Sequence, residues 1–484
     1  MGNAQSNKLK CLYFPAQSGK TQRVKDRIDL FEALDCFGDE GYFNFLITSN
    51  NILLVEQTTS RFNKPYDWTS MDNKTNGETL AFRIVEEVYN MIVMCSNRPR
   101  LNHFEKLINY LENSRNFNKK INIWIDEADS NINLWSSYSH IIFKEIIESV
   151  TLVSATFDSV FKKYSRLNII GSSNTYPDCY RCLKDSNKII VDFICSKTED
   201  YIIHIIEKYP DLIKNGMKGF IPGGYYKSSH DKIADILVNK YNFIVLIING
   251  ERKEFLIPGK ESIDISEYLT SSAELKDILS RIYYENKFYE YPFAITGLEC
   301  VKRGITFQSN DFLFDYGIIP FVSKKVEAYQ LMARLFGNIG DFSNYKPCSI
   351  YSPTSNFNKI QKQESMAINI AKIVEDQSLG DVGNEELRKA MVLGDLDLLY
   401  EVFDTQELAI SFSNGPPLNQ RFQKRSGIAP RALLNDGDES SLEKNNPSIT
   451  YLLSRKWGLS NLIPVRMVPT KENKWCVYWK PSLL

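Results

Sequence analysis

Five short apolar runs mark the first third of the chain: KCLYFP (10–15), YFNFLIT (42–48), MIVMC (91–95), INIWID (121–126) and VTLVSA (150–155). Each is continuous rather than alternating, as a strand covered on both faces must be. Helix-like segments lie between them. Strand and helix in alternation predict a parallel sheet with right-handed crossovers. A polar stretch, GSSNTYPDCYRC, precedes a second series: NKIIVDFIC (187–195), KGFIP (218–222), FIVLIING (243–250), PFAITG (292–297) and FLFDYGIIP (312–320). The fold class that follows is α/β, with two parallel-sheet domains in tandem over residues 1–175 and 176–360.

From about residue 360 the pattern changes. SMAINIAKIVEDQ and NEELRKAMVLGDLDLLYEVF read as helices, and a polar segment near 412–447, rich in Pro, Gly, Asn and Ser, reads as a linker. WCVYWKP has a period of two and reads as a strand with Trp475 and Trp479 on one face. Residues 361–484 are thus expected to form a mixed α+β extension. Its tryptophans read either as a small core or as a stacking or partner surface. No motif names a protein partner for it.

The loop LYFPAQSGKTQRV (12–24) carries the first chemistry. An apolar strand delivers the chain to Pro15, and a helix is predicted from about Thr21. Free amides at a helix N-terminus attract phosphate. Gln17, Ser18, Gly19, Lys20 and Thr21 are the candidate nucleotide-binding residues. Gly19 permits close approach, Lys20 reaches the terminal phosphates, and the Thr21 hydroxyl is placed to hold Mg²⁺. The full loop pattern would put glycine at position 14, where this chain has Phe14. On these residues alone, the loop reads either as a nucleotide site or as a chance Gly-Lys-Thr.

INIWIDEADS carries the second. Its apolar strand ends in Asp126-Glu127-Ala128-Asp129, and strand ends are where open α/β sheets bind ligands. Asp126 is placed to hold Mg²⁺ through water, and Glu127 to orient or deprotonate an attacking water. The alternative is an acidic turn.

The chain has a net charge of -1, so contact with nucleic acid must come from local patches and backbone amides rather than a global field. Nine scattered cysteines indicate a reducing, intracellular compartment, cytoplasm or nucleus. Cys179 and Cys182 form a C-x-x-C without the second well-spaced pair a zinc site would want. There is no secretory signal and no run approaching the ~18 apolar residues of a membrane span. MGNAQS fits the N-myristoylation pattern at Gly2, and Lys8 and Lys10 add attraction to anionic lipid. One acyl chain gives weak membrane association.

Asp126-Glu127-Ala128-Asp129, followed by Ser154-Ala155-Thr156 in VSATF, resembles the DEAD-box and other superfamily-two helicases. Their core is two RecA-like domains with ATP in the cleft between them. VKRGITF (301–307) is similar to the family's fifth motif around Arg303 and Gly304, and AYQLMARLFGN (328–338) to its sixth. The resemblance covers about residues 10–360. It implies that Gly304 meets the nucleotide and that Gln330 and Arg334 face it from the second domain as catalytic residues. It implies that Ser154 and Thr156 couple Asp129 to the cleft. It places FLITSNNILLVEQTTSR (45–61) and IVMCSNRPRLNHFEKL (92–107) where the family contacts nucleic acid, through Ser49, Asn50, Thr58, Arg61, Asn97 and Arg98. Each of these six also reads as an ordinary loop residue.

The chain departs from the family at Thr306, where DEAD-box proteins usually carry Asp, and at Gly337, where a second arginine is common. The short stretch before Leu12 leaves no room for an adenine-reading element, so strict ATP preference is not expected. The expected activity is a nucleic-acid-dependent NTPase or helicase using ATP and Mg²⁺ on single-stranded or duplex DNA or RNA. Two alternatives are a packaging-type translocating ATPase that does not unwind, and a catalytically weak scaffold binding nucleotide and nucleic acid. Abundant Asn, Ile, Lys and Tyr suggest an AT-rich coding genome, such as that of a large DNA virus, and hence a virion-associated location.

Overall fold

In the first lobe the apolar runs become strands of one parallel sheet. They are β1 (Leu9–Tyr13), β2 (Tyr42–Thr48), β3 (Pro65–Trp68), β4 (Met91–Cys95), β5 (Lys120–Asp126), β6 (Ile147–Ser154) and β7 (Arg166–Gly171). Their order is β7-β1-β6-β5-β2-β4-β3, and every pairing is parallel. The computed structural model describes residues 8–35, 41–50, 52–62, 65–68, 77–86, 88–156, 158–164, 166–171, 178–195, 197–224, 226–269, 274–298, 306–376, 381–383, 399–414, 465–469 and 475–479. Gly2, Arg303, Gly304 and most of the 412–447 linker lie outside them.

The register positions the chemistry. β6 lies between β1 and β5, with Tyr13 opposite Ser154 and Asp126 opposite Val153. The strand ends carrying the Gly-Lys-Thr loop, the acidic tetrad and Ser-Ala-Thr are therefore immediate neighbours. Two buried polar pairs in the apolar sheet are hydrogen-bonded: Trp124 Nε1 donates to Asn44 Oδ1 at 3.1 Å, and Ser149 Oγ to Asn122 Oδ1 at 2.7 Å. Helices α1 (Lys20–Asp35), α2 (Ile52–Thr59), α3 (Arg98–Asn113) and α4 (Ala128–Trp135) follow β1, β2, β4 and β5. α3 shows why its residues are helical. Asn97 Oδ1 accepts the Arg100 N–H, Pro99 occupies the first turn, and Leu101, Phe104, Leu107, Ile108 and Leu111 form one buried face.

The second lobe has β8 (Tyr180–Arg181), β9 (Asn187–Ile190), β10 (Lys218–Phe220), β11 (Ile244–Ile248), β12 (Lys253–Leu256), β13 (Ile263–Asp264), β14 (Phe293–Thr296), β15 (Tyr316–Ile318), β16 (Gly337–Asn338) and β17 (Ser349–Ser352). Its main sheet runs β13-β12-β11-β14-β10-β15-β17-β9. β11 through β9 are parallel, and β12 and β13 add an antiparallel edge. β11 feeds both faces: Ile244, Leu246 and Ile248 enter one core, Val245 and Ile247 the other. β8 and β16 pair separately as a short antiparallel ladder. These are two RecA-like domains in tandem.

The described residues from Gln361 onward belong to a second compact unit. It holds a three-stranded antiparallel sheet with Trp475–Trp479 between Leu399–Phe403 and Val465–Pro469, plus the helix Gln406–Asn414. The extension is mixed α+β, with one correction. Leu399–Phe403, the end of a segment read as helical, is a strand. Leu-Tyr-Glu-Val-Phe is rich in β-favouring residues, and pairing with Trp475–Trp479 decides its conformation. Among the described residues, no helix is long and apolar enough to cross a membrane.

Candidate nucleotide site and nucleic-acid face

Phe14 is accommodated because its side chain leaves the loop. It is buried in the first-lobe core with Leu12, Val24, Trp124 and Val153, and the Arg23 guanidinium lies over its ring at 4.2 Å. The loop then turns at Pro15–Ser18, where Ser18 Oγ donates to the Pro15 carbonyl at 2.8 Å. Gln17 and Gly19 both take positive φ, 60° and 84°. Lys20, the first residue of α1, reaches back across the loop with Nζ 3.5 Å from the Pro15 carbonyl.

The acidic tetrad is held as tightly. Glu127 adopts a left-handed conformation, φ 50° and ψ 44°, an uncommon one for a bulky residue. Its N–H donates to Asp126 Oδ1 at 2.9 Å. Asn131 Nδ2 donates to the Asp126 carbonyl at 3.1 Å, and Asn131 Oδ1 accepts from Ser96 Oγ at 2.6 Å, tying the turn to the end of β4. Burial, then the neighbouring Glu127 carboxylate, push the Asp126 carboxyl up from its ordinary 3.8 to about 6, against the pull of Lys20, the Glu127 amide and Arg61. A buried carboxylate in that position favours a bound cation. Asp129 Oδ1 accepts from Ser154 Oγ at 2.7 Å, and Ser154 Oγ lies 3.1 Å from the Thr156 N–H. The three residues paired by the resemblance are thus in one hydrogen-bonded chain.

From the second lobe, Gln330 on α5 (Lys325–Met332) and Arg334 on the following 3₁₀ turn are both buried. Gln308 Nε2 donates to the Arg334 carbonyl at 3.2 Å and fixes that turn. Lys20, Thr21, Asp126 and Glu127 from one lobe and Gln330 and Arg334 from the other line a single cavity of about 490 Å³. Gln17 and Gly19 line it too; Ser18 is buried beneath the loop.

The lobes touch at the loop itself. The Ala16 N–H donates to the Tyr329 hydroxyl at 3.1 Å, and the Tyr180 hydroxyl donates to the Ala16 carbonyl at 2.9 Å. Thr306 Oγ1 lies 3.4 Å from Gln17 Oε1. Gly337, at φ 123°, packs so closely that a Cβ there would lie 2.8 Å from Gln17 Cβ. Both departures from the family pattern therefore sit against Gln17.

The six nucleic-acid candidates divide. Ser49, Asn50, Asn97 and Arg98 lie together just past the ends of β2 and β4, with Asn97 Nδ2 donating to Asn50 Oδ1 at 3.1 Å. Asn50 and Arg98 are exposed. Thr58 is buried, at 1% exposure, and does not offer its side chain to a polymer. Arg61 turns into the cavity, where its Nε pairs with Glu274 Oε1 of the second lobe at 2.7 Å. Burial pushes the Glu274 carboxyl up, but Arg61 and Lys276 outweigh it and hold it below its ordinary value. Glu274, Tyr180 and Tyr329 carry no motif signal. Tyr329 adjoins Gln330 in a segment the sequence singles out, but nothing in a local pattern shows a contact across 313 residues.

Two tandem parallel-sheet lobes are thus present, and the first carries Gly-Lys-Thr, Asp-Glu-Ala-Asp and Ser-Ala-Thr on adjoining strand ends. No protein-family model matches the chain, and no curated protein does. Among solved structures, S. cerevisiae Dbp5 bound to RNA and ADP BeF3 matches at 13% identity over 79% of this chain and 89% of that one, with a TM-score of 0.40. The DEAD-box helicase Mss116 bound to ssRNA and UDP-BeF matches at 12% identity over 81% and 84%, with a TM-score of 0.45. A DEAD box protein from the hyperthermophile Methanococcus jannaschii matches at 13% identity over 74% and 86%, with a TM-score of 0.36.

Proposed function

We propose that the chain is a nucleic-acid-dependent NTPase of helicase type. It would use ATP and Mg²⁺ to move along or separate strands of DNA or RNA. The observation that carries this reading is the shared cavity, with phosphate-binding and acidic residues on one wall and Gln330 and Arg334 on the other. In this reading residues 1–175 and 176–360 are the two motor domains and 361–484 an accessory domain.

The phosphates would meet the loop amides at Gln17–Gly19 and the Lys20 ammonium at the start of α1. Thr21 and Asp126 supply hard oxygen donors to the cavity. An ion there would be bound by these few protein ligands together with phosphates and water. Mg²⁺, when bound, supplies neutralising charge to the phosphates. Glu127, locked by its own backbone geometry, orients the attacking water and accepts its proton. Arg334 stabilises charge on the transferring phosphoryl group, a role worth ~10³–10⁵ in rate. Gln330 helps to place the water or the phosphate. Gly304 is assigned to the nucleotide by the family resemblance. Ser49, Asn50, Asn97 and Arg98 would hold the polymer through its phosphates.

The test pairs binding with turnover. Glu127→Gln and Arg334→Ala should bind nucleotide while turnover falls at least ~10²-fold. Turnover retained in both variants would refute the assignment.

A further inference from the structure

The phosphate-binding loop is shaped by residues outside its own lobe. Both backbone polar groups of Ala16 are satisfied by second-lobe hydroxyls, the N–H by Tyr329 at 3.1 Å and the carbonyl by Tyr180 at 2.9 Å. Both tyrosines are buried, and neither lines the cavity. Ala16 itself packs into an apolar cluster built mainly from the second lobe, including Tyr329, Met332 and Leu335. The next residue, Gln17, is held at φ 60°, a region that non-glycine residues rarely occupy. Its side chain meets Thr306, and its backbone carbonyl would lie 3.0 Å from any Cβ at position 337. With the lobes apart, Ala16 would turn its polar groups to water and Gln17 would lose what holds it.

We propose that Tyr180 and Tyr329 are positioning residues that hold the phosphate loop in its binding shape when the lobes are together. The second lobe then sets nucleotide affinity through the loop, in addition to its direct contacts through Gln330 and Arg334. By reciprocity, nucleotide on the loop favours the joined lobes by the same factor. This inference rests on the nucleotide-binding reading above.

The test is fluorescent-nucleotide binding and steady-state hydrolysis by the full chain as wild type, Tyr180→Phe, Tyr329→Phe, the double variant and Lys20→Ala. Phenylalanine keeps each ring in its packing and removes one hydroxyl. Each single variant should raise Kd and KM about 3- to 10-fold, the loss of one hydrogen bond, with kcat at saturating nucleotide retained and the melting temperature kept. A merely structural role would lower the melting temperature without this split between KM and kcat. Binding lost in Lys20→Ala but unchanged in both phenylalanine variants overturns the inference alone. Binding indifferent to Lys20→Ala overturns the nucleotide reading, and the inference with it.

Discussion

Replacing Gly337 with arginine would restore the arginine common in the sixth helicase motif. Pattern matching predicts a gain in turnover; the structure predicts a loss. Gly337 has φ 123°, and a Cβ would sit 2.8 Å from Gln17 Cβ and 3.0 Å from the Gln17 carbonyl. The backbone conformation costs a non-glycine residue about 1–3 kcal/mol. Forcing a methyl group into a closely packed contact adds about 1–3 kcal/mol. Gly337 pairs with Arg181 inside the second lobe whether or not the lobes meet, so the backbone cost falls on that lobe's own stability; the contact with Gln17 alone disfavours the joined lobes, by about 1–3 kcal/mol, and weakens nucleotide binding about fivefold or more. Gly337→Ala isolates the backbone and Cβ terms, and Gly337→Arg adds the guanidinium. The assay is nucleotide affinity by fluorescence anisotropy, with hydrolysis at saturating nucleotide alongside. Both variants should bind at least about fivefold more weakly. A Gly337→Arg protein that binds as wild type and turns over faster would refute the geometric argument.

Other predictions concern the acidic site and the candidate nucleic-acid face. Asp126 has a folded pKa raised to about 6, so ionising it costs stability as pH rises from about 4 to 6, and that cost persists at pH 7. Without Mg²⁺, Asp126→Asn should be more stable than wild type by about 1–3 kcal/mol at pH 7, the advantage vanishing below pH ~4; urea titrations across pH test this. In the wild type, apparent Mg²⁺ affinity should fall as pH drops through about 6, because a proton competes at Asp126. Arg61→Ala should raise KM for nucleotide and leave polymer affinity unchanged, whereas Arg98→Ala should do the reverse, weakening polymer binding about 2- to 10-fold in low salt. Ser154→Ala removes the 2.7 Å bond to Asp129 and should cost about 1–3 kcal/mol in chemical denaturation.

The fold was legible because buried parallel strands write themselves as continuous apolar runs, and β1, β2, β4, β5 and β6 all fall within the runs named from the sequence or within a residue or three of them. The position of the first-lobe candidate site was legible for a related reason. Gly-Lys-Thr and Asp-Glu-Ala-Asp each follow such a run, so each had to lie at a strand end. What lay hidden depends on contacts between distant segments. Arg61 looks like any basic residue in a polar loop until Glu274 is seen 2.7 Å away. Thr58 sits on a helix whose buried face a short segment cannot define. Leu399–Phe403 is a strand because it pairs with residues more than 70 positions later. Phe14 and Gly337 look like lost motif residues in the sequence. In the structure one is core and the other a close contact with the loop.

NTP hydrolysis by the full chain, with and without single-stranded DNA and RNA and beside Lys20→Ala, decides whether the cavity is a working motor site. Turnover should be stimulated by at least one polymer and abolished by Lys20→Ala, with the stimulating polymer naming the substrate class. Turnover at background with every polymer, in a protein that still binds nucleotide through Lys20, would contradict the motor reading.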